Sequence, residues 1–598
     1  MRSLKHLFQF EICLLLLLFV FRASAFELKN PDTALADYIN FNDNVFDIQS
    51  LASMPGNGFS LHFYNLVSQQ WLTNQDIDRS IWNHTLVIVI PDTVSSSTAM
   101  LVVAGNDNND PLPDQNDIFI QIITQLAVAS QSIVSAVYQV PNQPILFKDS
   151  GIARAEDTLV SYSWKKALDT ADYKWAAYLP MVKSVVRAMD GIQDETTKLG
   201  NYNIDDFVLT GFSKRGAAVW LTAAVDNRVK AIAPGVIDFL NVIPSIEHQF
   251  KSYGEFSSAI KPYEDSGLLS KIRSPEFARL AQVIDPYSYL DKLTMPKFIL
   301  NSSGDQFFLP DSSRFYFGDL KGESLIHYAP NTDHSLSSSV TGFTDTLYSL
   351  LGWYQSILTH QPRPEINWLR EDQQIIAHTS IPPQRVQVWT AYNPVARDFR
   401  KSSIGEVWLP SPIEADLDGN YRVTLKQPAI GYNATYIEFV YPGASGLPIT
   451  YSTGIFISPD IEPFDLPAAI NHPKTSRYWQ QQVDNVINGE IADIDLQSLQ
   501  SYLPIHVFQH IYSTPADLLE ALSLSAKHAP DKIALSECTA SRLNLAAKEI
   551  HWYSPVDLGG FLGNKPLWEH YKMADAWAED WPWMSANICR QLNRVHTP

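Results

Sequence analysis

Cysteine is scarce in this chain, which has three in 598 residues. Cys13 lies within an apolar N-terminal run, so Cys538 and Cys589 are the two that remain for the folded protein. They permit one disulfide, and two free thiols are an equally good interpretation. So few cysteines exclude a small disulfide-stapled scaffold, and stability must come from a hydrophobic core.

Long apolar runs and an excess of basic residues are also missing. Beyond the N-terminus no stretch approaches the roughly 18 uncharged apolar residues that a spanning helix needs, so we expect no transmembrane anchor. Lysine and arginine number 44 against 64 acidic residues, a formal net charge of −20. This balance argues against nucleic acid and against anionic membrane surfaces as partners.

Signals for a cofactor or a metal are weak as well. The sequence has no glycine loop of the kind that binds phosphate. His506 and His510 have the spacing of two ligands on one helix face, but they lack the glutamate of the H-E-x-x-H motif. We therefore expect no cofactor and no metal.

The first 25 residues have the form of a secretion signal. Basic residues begin the segment, residues 12–21 are apolar, and Ala23-Ser24-Ala25 is a typical cleavage site. We expect residues 1–25 to be removed and the protein to be secreted or periplasmic.

A nucleophile motif is centred on Ser213. The apolar run Phe207–Thr210 leads into Gly211-Phe212-Ser213, and a helix-like pattern follows at once. A strand–turn–helix elbow presents a serine in this way, and its tight turn favours a glycine two residues before the serine. Arg215 is a departure, because such elbows usually carry a small residue two positions after the serine.

Acid and base candidates follow in the chain order of α/β hydrolases. Asp305 follows the predicted strand Pro296–Ser303, and His334 follows the predicted strand Ser324–Ala329. With Ser213 they give the order nucleophile, acid, base, each after a strand of one sheet. Histidine can take the serine proton near neutral pH, and a carboxylate fixes the imidazole tautomer. The sequence therefore predicts a triad.

Other interpretations of these residues stay open at this point. Asp305 also fits an ordinary loop acid, and His334 fits a residue that precedes a helix. Asp311 and Asp333 are rival acids, although Asp311 has the setting of a helix N-cap and Asp333 would face away from the adjacent imidazole.

Two loops offer candidate oxyanion donors. The backbone N–H groups of Gly105 and Asn106 follow the predicted strand Ala99–Ala104, and the N–H of Lys214 follows the serine. A plain turn is the alternative at residues 105–106. The cationic side chain of Arg215, or of Lys214, is a candidate for stabilising negative charge. The alternative is a residue at a helix start that pairs with a nearby acid.

Alternating strand and helix patterns predict an α/β protein. A doubly wound α/β-hydrolase-like domain covers residues 26–360, with an aromatic-rich insertion at about 238–295 that we expect to cap the active site. A linker at Pro362–Pro364 precedes alternating patterns that predict a small β-sandwich-like domain over residues 361–470. Residues 471–598 form a predicted helical C-terminal region.

The motifs resemble those of the PhoPQ-activated pathogenicity-related protein family, which includes autocrine proliferation repressor proteins. The resemblance rests on Gly211–Gly216, Gly304–Asp311, Pro330–His334 and Ala396–Arg400, and it extends from about residue 60 to 465. It implies an exported α/β-hydrolase-like protein associated with virulence or extracellular signalling. Phe212 departs from the alanine usual in the family. The basic pair Lys214-Arg215 after the serine is also similar to the basic residue in the elbow of glucuronoyl esterases, where an arginine helps to stabilise the oxyanion.

Two functions follow from these observations. The first is a secreted serine hydrolase that acts on an ester or peptide bond of a small-molecule or peptide substrate. The alternative is a secreted signalling or virulence-associated protein in which the fold is a non-catalytic scaffold, with a cell-surface receptor as partner.

Overall fold

The computed structural model describes residues 27–443 and 446–465 together with shorter later segments. Those segments are residues 476–488, 499–500, 505–507, 510–523, 538–540, 555–557, 564–566 and 589. The predicted signal segment, residues 1–25, lies outside the described residues. Within the described ranges, no helix has the length and apolar character needed to cross a membrane.

Among the described residues, the strands form a main sheet of 14 members and four smaller sheets. In chain order they are β1 Asp47–Pro55, β2 Phe59–Gln70, β3 Ile81–Pro91, β4 Thr98–Val103, β5 Val134–Val137, β6 Ile145–Phe147, β7 Ile152–Arg154, β8 Asp206–Phe212, β9 Val229–Gly235, β10 Lys297–Ser302, β11 Ser324–Ala329, β12 Ile366–Glu371, β13 Gln374–Thr379, β14 Arg385–Asn393, β15 Leu409–Pro412, β16 Tyr421–Thr424, β17 Tyr432–Pro442, β18 Pro448–Ser452, β19 Phe456–Ser458, β20 Ile505–Val507, β21 His510–Tyr512, β22 Pro555–Asp557 and β23 Asn564–Pro566.

The main sheet has the order β1-β2-β3-β5-β4-β8-β9-β10-β11-β18-β17-β14-β15, with β19 paired to β17. Strands β5, β4, β8, β9, β10 and β11 are parallel to their neighbours within this group. Strand β3 runs antiparallel to both β2 and β5. Its apolar run reflects burial on both faces, which does not depend on strand direction.

Helices cover both faces of this sheet. In chain order they are α1 Ala34–Asn40, α2 Ile118–Ser130, α3 Glu156–Thr170, α4 Tyr178–Gly200, α5 Lys214–Ala223, α6 Val242–Tyr253, α7 Lys261–Asp265, α8 Pro275–Ile284, α9 Val340–Leu358, α10 Lys401–Ile404, α11 Ser476–Asn488 and α12 Pro515–Leu522. Short 3₁₀ helices lie at Tyr173–Trp175, Ser258–Ile260, Leu269–Lys271, Pro286–Lys292, Ser312–Phe315 and Phe317–Asp319.

Two large hydrophobic cores of the described residues lie between the sheet and its helices, one on each face of the sheet. Helices α4 and α5 bury Val182, Met189 and Trp220 in one core, and α2 and α9 bury Ile123 and Trp353 in the other. Helix α4 buries apolar residues at helical spacing, as expected for an amphipathic helix. The parallel strands thus lie between two layers of helices, which is the arrangement of a doubly wound α/β domain.

The strands expected to form a separate β-sandwich extend the main sheet instead. Strand β18 pairs antiparallel to β11 at Ser452 and Ile326, and β17, β14 and β15 follow outward. Strand β17 is buried along most of its length, as an inner strand must be. Strands β12, β13 and β16 form a small antiparallel sheet of their own. The domain limits given above stay predictions.

The C-terminal region contains short strands as well as helices among its described residues. Strands β20 and β21 pair with each other, as do β22 and β23. His506 and His510 therefore lie on two paired strands and not on one helix. Cys538 and Cys589 form a disulfide.

Candidate active site

Ser213 lies in a tight turn between β8 and α5. Its backbone has φ 58° and ψ −130°, a conformation rare for a residue with a side chain. A Cβ on Gly211 would lie 3.0 Å from the carbonyl oxygen of Arg215, and a Cβ on Gly216 would lie 3.0 Å from that of Gly211. A small residue was expected two positions after the serine, where Arg215 lies. The position that requires one is Gly216, three positions after the serine.

Three side chains predicted as a triad lie in one hydrogen-bonded chain. His334 Nε2 is 2.9 Å from Ser213 Oγ, and His334 Nδ1 is 2.8 Å from Asp305 Oδ2. The other oxygen of Asp305 accepts hydrogen bonds from the N–H groups of Phe307 and Phe308 at 2.7 and 3.3 Å. Because the carboxylate binds Nδ1–H, Nε2 is left to accept the serine proton.

The rival acids are engaged elsewhere. Asp311 does not cap the following helix, and its carboxylate instead binds Arg397 Nη2 at 2.6 Å and His248 Nε2 at 3.1 Å. Asp333 accepts hydrogen bonds from the N–H and hydroxyl of Ser335. Neither carboxylate contacts His334 among the hydrogen bonds of the described residues.

The loops that carry Asp305 and His334 are held from two sides. At the end of β10, Ser302 Oγ donates to the carbonyl of Thr332 in the loop after β11 at 2.7 Å. From residues 361–465, here called the β-rich region, the N–H of Lys401 donates to the carbonyl of Gly304 at 2.9 Å. A Cβ on Gly304 would lie 2.9 Å from that Lys401 nitrogen, so this position requires glycine. The loops that carry Asp305 and His334 are therefore fixed by distant parts of the chain.

Three backbone N–H groups, those of Gly105, Asn106 and Lys214, were predicted as oxyanion donors. Within residues 27–443 and the later described segments, the N–H groups of Gly105, Asn106 and Lys214 make no hydrogen bond. Gly105 and Asn106 line a cavity that also contains Ser213 and His334, and Lys214 begins helix α5. Unpaired N–H groups at a helix start and in an adjoining loop can bind an oxyanion.

The basic pair after the serine is neutralised by acids. Lys214 Nζ lies 2.8 Å from Glu156 and 3.2 Å from Asp157, and Arg215 Nη2 lies 2.6 Å from Glu156. Burial raises the pKa of Glu156, but Arg215 and Lys214 outweigh burial and lower this pKa to about 2. Arg215 Nε also donates to the carbonyl of Val140 at 2.7 Å. This geometry is the pairing given above as the alternative, and the charge-stabilising role of Arg215 stays a prediction.

Two cavities meet at Ser213. The cap cavity, of about 40 Å³, lies beneath the insertion expected as a cap and is lined by Phe239, Ile260, Leu269 and Phe307 among others. The helix cavity, of about 440 Å³, lies beside α2 and α9 and is lined by His334, Gly105 and Leu347 among others. A larger cavity of about 920 Å³, near Trp368 and Asp460, does not contain Ser213 or His334.

The sequence analysis gave Asp238 no role beyond the start of the predicted cap, but in the structure its carboxylate is buried and binds two tyrosines. It lies just after β9, and its carboxylate accepts hydrogen bonds from Tyr316 Oη at 2.5 Å and Tyr328 Oη at 2.8 Å. Burial raises the pKa of Asp238 to about 7, because it outweighs the two tyrosine hydrogen bonds, which lower the pKa, and nearby Asp305 and Asp311 act in the same direction as burial. Its position after a strand was the available signal, but its tyrosine partners are distant in sequence.

Among the described residues, His, Cys, Asp and Glu side chains nowhere form a group of three suited to hold a metal ion.

The strand order and the placement of the three side chains define a class of protein. Ser213 follows β8, Asp305 follows β10 and His334 follows β11, in the chain order Ser, Asp, His. This is the α/β-hydrolase fold. The chain belongs to the PhoPQ-activated pathogenicity-related protein family, whose model matches residues 35–400. The family resemblance predicted from the motifs is thereby confirmed.

A curated relative supports the same membership. Autocrine proliferation repressor protein A from Dictyostelium discoideum is 34% identical over 479 residues, which cover 75% of this chain and 94% of that protein.

Solved structures with partial similarity include esterases and a peptidase. Acetyl xylan esterase 1 from Thermoanaerobacterium is 14% identical, with a TM-score of 0.37, and the match covers 56% of this chain and 96% of that one. The rice cell wall degrading esterase LipA from Xanthomonas oryzae is 11% identical, with a TM-score of 0.34 over 53% of this chain and 98% of that one. Acylaminoacyl peptidase from Pyrococcus horikoshii is 11% identical, with a TM-score of 0.31 over 52% of this chain and 42% of that one. Such low scores do not bear on substrate or mechanism.

Proposed function

We propose that this protein is an exported serine hydrolase that cleaves an ester or peptide bond through an acyl-enzyme. The observation that carries the proposal is the hydrogen-bonded chain from Ser213 Oγ through His334 to Asp305, with distances of 2.9 and 2.8 Å. Both contacts lie within the range that proton transfer requires.

The reaction proceeds in two halves. Ser213 Oγ attacks the carbonyl carbon while His334 Nε2 takes the hydroxyl proton. The tetrahedral intermediate then collapses, the bond from the acyl carbon to the leaving oxygen or nitrogen breaks, and His334 gives its proton to that atom. Water attacks the acyl-enzyme by the same proton route and releases the carboxylic acid.

Charge on the intermediate is met by backbone N–H groups. The free N–H groups of Gly105, Asn106 and Lys214 are the donors that the proposal assigns to the oxyanion. Losing one such donor in other serine hydrolases costs a factor of about 10²–10³ in kcat. Asp305 holds the imidazole in the tautomer that accepts from serine and stabilises the imidazolium that forms.

A fluorophosphonate probe tests this proposal directly. Purified protein is incubated with the probe and digested, and the labelled peptide is identified by mass spectrometry. We expect the label on Ser213, its loss in Ser213→Ala, and its retention in Ser335→Ala, a matched control because Ser335 lines the same cavity. An unlabelled wild type, or a label that persists in Ser213→Ala, would overturn the proposal.

A second function is favoured by the name of the 34% identical relative, a repressor of proliferation. In that case the fold binds a cell-surface receptor and the triad is not needed. The same Ser213→Ala variant separates the two functions. If the folded variant still alters the growth of responsive cells, the signalling activity depends on binding and not on hydrolysis.

Export is part of the proposal and rests on the signal-like residues 1–25 and on the Cys538–Cys589 disulfide, which an oxidising compartment favours. N-terminal sequencing of the mature protein tests it. We expect Phe26 as the first residue, and a soluble protein that retains residues 1–25 would contradict cleavage.

A further inference from the structure

The two cavities that meet at Ser213 differ in their access to the base. His334 lines the helix cavity and does not line the cap cavity. On the cap side, the rings of Phe307 and Phe308 lie against the imidazole, with centroid distances of 4.2 and 5.8 Å. A group bound in the cap cavity is therefore separated from the base by aromatic rings.

Proton transfer decides which part of a substrate occupies which cavity. When the acyl carbon loses its leaving group, the departing oxygen or nitrogen must receive the proton from His334 Nε2. The leaving group therefore has to lie in the helix cavity, where His334 is accessible. The remaining substituent of the acyl carbon then points into the cap cavity.

The sizes of the cavities limit the two parts of the substrate differently. The cap cavity of about 40 Å³ has about a tenth of the volume of the helix cavity, so the group that it accommodates must be much smaller. The helix cavity of about 440 Å³ falls in the range of roughly 300–1,000 Å³ that holds drug-sized ligands. The acyl side is narrow and the leaving-group side is wide.

The charges at both cavities are already compensated. In the cap cavity, Lys214 is paired with Glu156 and Asp157, and Asp157 also accepts from Tyr263 Oη at 2.9 Å. In the helix cavity, Arg215 is bound by Glu156, and Asp117 accepts from the N–H groups at the start of α2. The remaining walls are mainly apolar, so an uncharged substrate fits both sides.

We propose that the substrate is an uncharged ester or amide that joins a short acyl group to a bulky apolar alcohol or amine. This inference rests on the proposed hydrolase function. It assigns the acyl group to the cap cavity and the alcohol or amine to the helix cavity.

Two series of esters test the assignment. The first varies the acyl group as p-nitrophenyl acetate, butyrate and octanoate, and the second varies the alcohol as methyl, butyl and octyl acetate. We expect kcat/KM to fall about tenfold or more from butyrate to octanoate, and to rise about tenfold or more from methyl to octyl acetate. Equal or faster hydrolysis of the octanoate would overturn the inference.

Substitutions in the cavity walls test which part of the substrate each cavity holds. Leu347→Trp narrows the helix cavity, and Tyr348→Trp is its control because Tyr348 is an exposed neighbour on the same helix. We expect Leu347→Trp to slow octyl acetate about tenfold without slowing methyl acetate, and Tyr348→Trp to change neither. If Leu347→Trp slows the octanoate and spares octyl acetate, the assignment is reversed and the inference fails.

The cap cavity is tested by widening it. Phe239→Ala should raise the ratio of octanoate to acetate kcat/KM about tenfold, and Leu269→Ala is a second variant in case the first does not fold. An unchanged ratio in folded variants contradicts the assignment. Failure of the hydrolase function itself looks different, because then fluorophosphonate does not label Ser213 and no ester is hydrolysed.

Discussion

Asn331 and Trp408 exchange two hydrogen bonds. The N–H of Trp408 donates to Asn331 Oδ1 at 3.0 Å, and Asn331 Nδ2 donates to the carbonyl of Trp408 at 3.0 Å. Asn331 lies three residues before His334, and Trp408 is a buried residue of the β-rich region. The β-rich region therefore holds the loop that carries His334.

Replacing Asn331 tests this connection. Asn331→Gly keeps the left-handed backbone, φ 56°, but removes both side-chain hydrogen bonds. At about 1 kcal/mol for each bond, we expect the melting temperature to fall and kcat to drop about tenfold as the base loop loosens. Asn331→Ala should be worse, because alanine also strains the backbone. Thermal melts and steady-state kinetics measure both effects, and wild-type kcat in both variants would show that Trp408 does not position the base.

Asp305→Asn should strongly impair hydrolysis. Because the carboxylate fixes the tautomer of His334, we expect a loss in kcat of up to about 10⁴ with little change in KM. Asp333→Asn is the matched control, since Asp333 binds Ser335 and not the imidazole. Full activity of Asp305→Asn on a substrate that wild type hydrolyses would mean that the acid is misassigned.

Asp311→Asn should act on stability more than on chemistry. The Asp311 carboxylate is buried against Arg397, whose guanidinium is also buried, and Arg397 and His248 outweigh burial to hold the pKa of Asp311 well below its usual range. Removing one partner of such a pair costs about 3–5 kcal/mol, because the other charge is left buried. Chemical denaturation gives the free energy of unfolding, and a loss below about 1 kcal/mol would contradict this account.

Lys214→Met tests the side chain of Lys214 independently of its backbone N–H. The ammonium is held by Glu156 and Asp157, and the variant keeps the N–H that the proposal assigns to the oxyanion. We expect a lower melting temperature, with kcat/KM of the folded protein within about threefold of wild type. Glu156 is 43% exposed, so the loss in stability should be modest. A fall in kcat of about 10² or more would instead give the ammonium a direct part in the reaction.

Asp238→Asn should change how stability depends on pH. Burial raises the pKa of Asp238 to about 7, above the value of about 3.9 in an unfolded chain, so the folded state holds its proton more tightly. The stabilisation is complete below about pH 4 and is lost as the pH rises towards about 7, by roughly 4 kcal/mol in total. The variant lacks this titration. Urea unfolding at pH 4.5 and 7.5 should show a larger decrease for wild type than for Asp238→Asn, and parallel curves would contradict the shift.

The sequence predicted the elements that carry the triad because their patterns are local. The strand Ser324–Ala329 was predicted with its observed bounds, and Ser213, Asp305 and His334 follow their strands as the motif order requires. Strands β1 and β2 were not predicted, since β1 is largely exposed and lacks a clear apolar pattern. The partners of Lys214 and Arg215 were not predicted either, because Glu156 lies more than fifty residues away along the chain and long-range pairing leaves no periodic signal.

Continuity of the sheet past β11 has a consequence for how the chain can be divided. If the chain were cut near residue 360, β11 would become an open edge, with a row of unpaired backbone groups on a strand whose side chains are almost wholly buried. Such an edge recruits strands from other molecules, so the shortened chain would self-associate. The segment after residue 360 thus covers the edge of the sheet at β11, and we expect residues 27–360 to stay soluble only when this segment is retained.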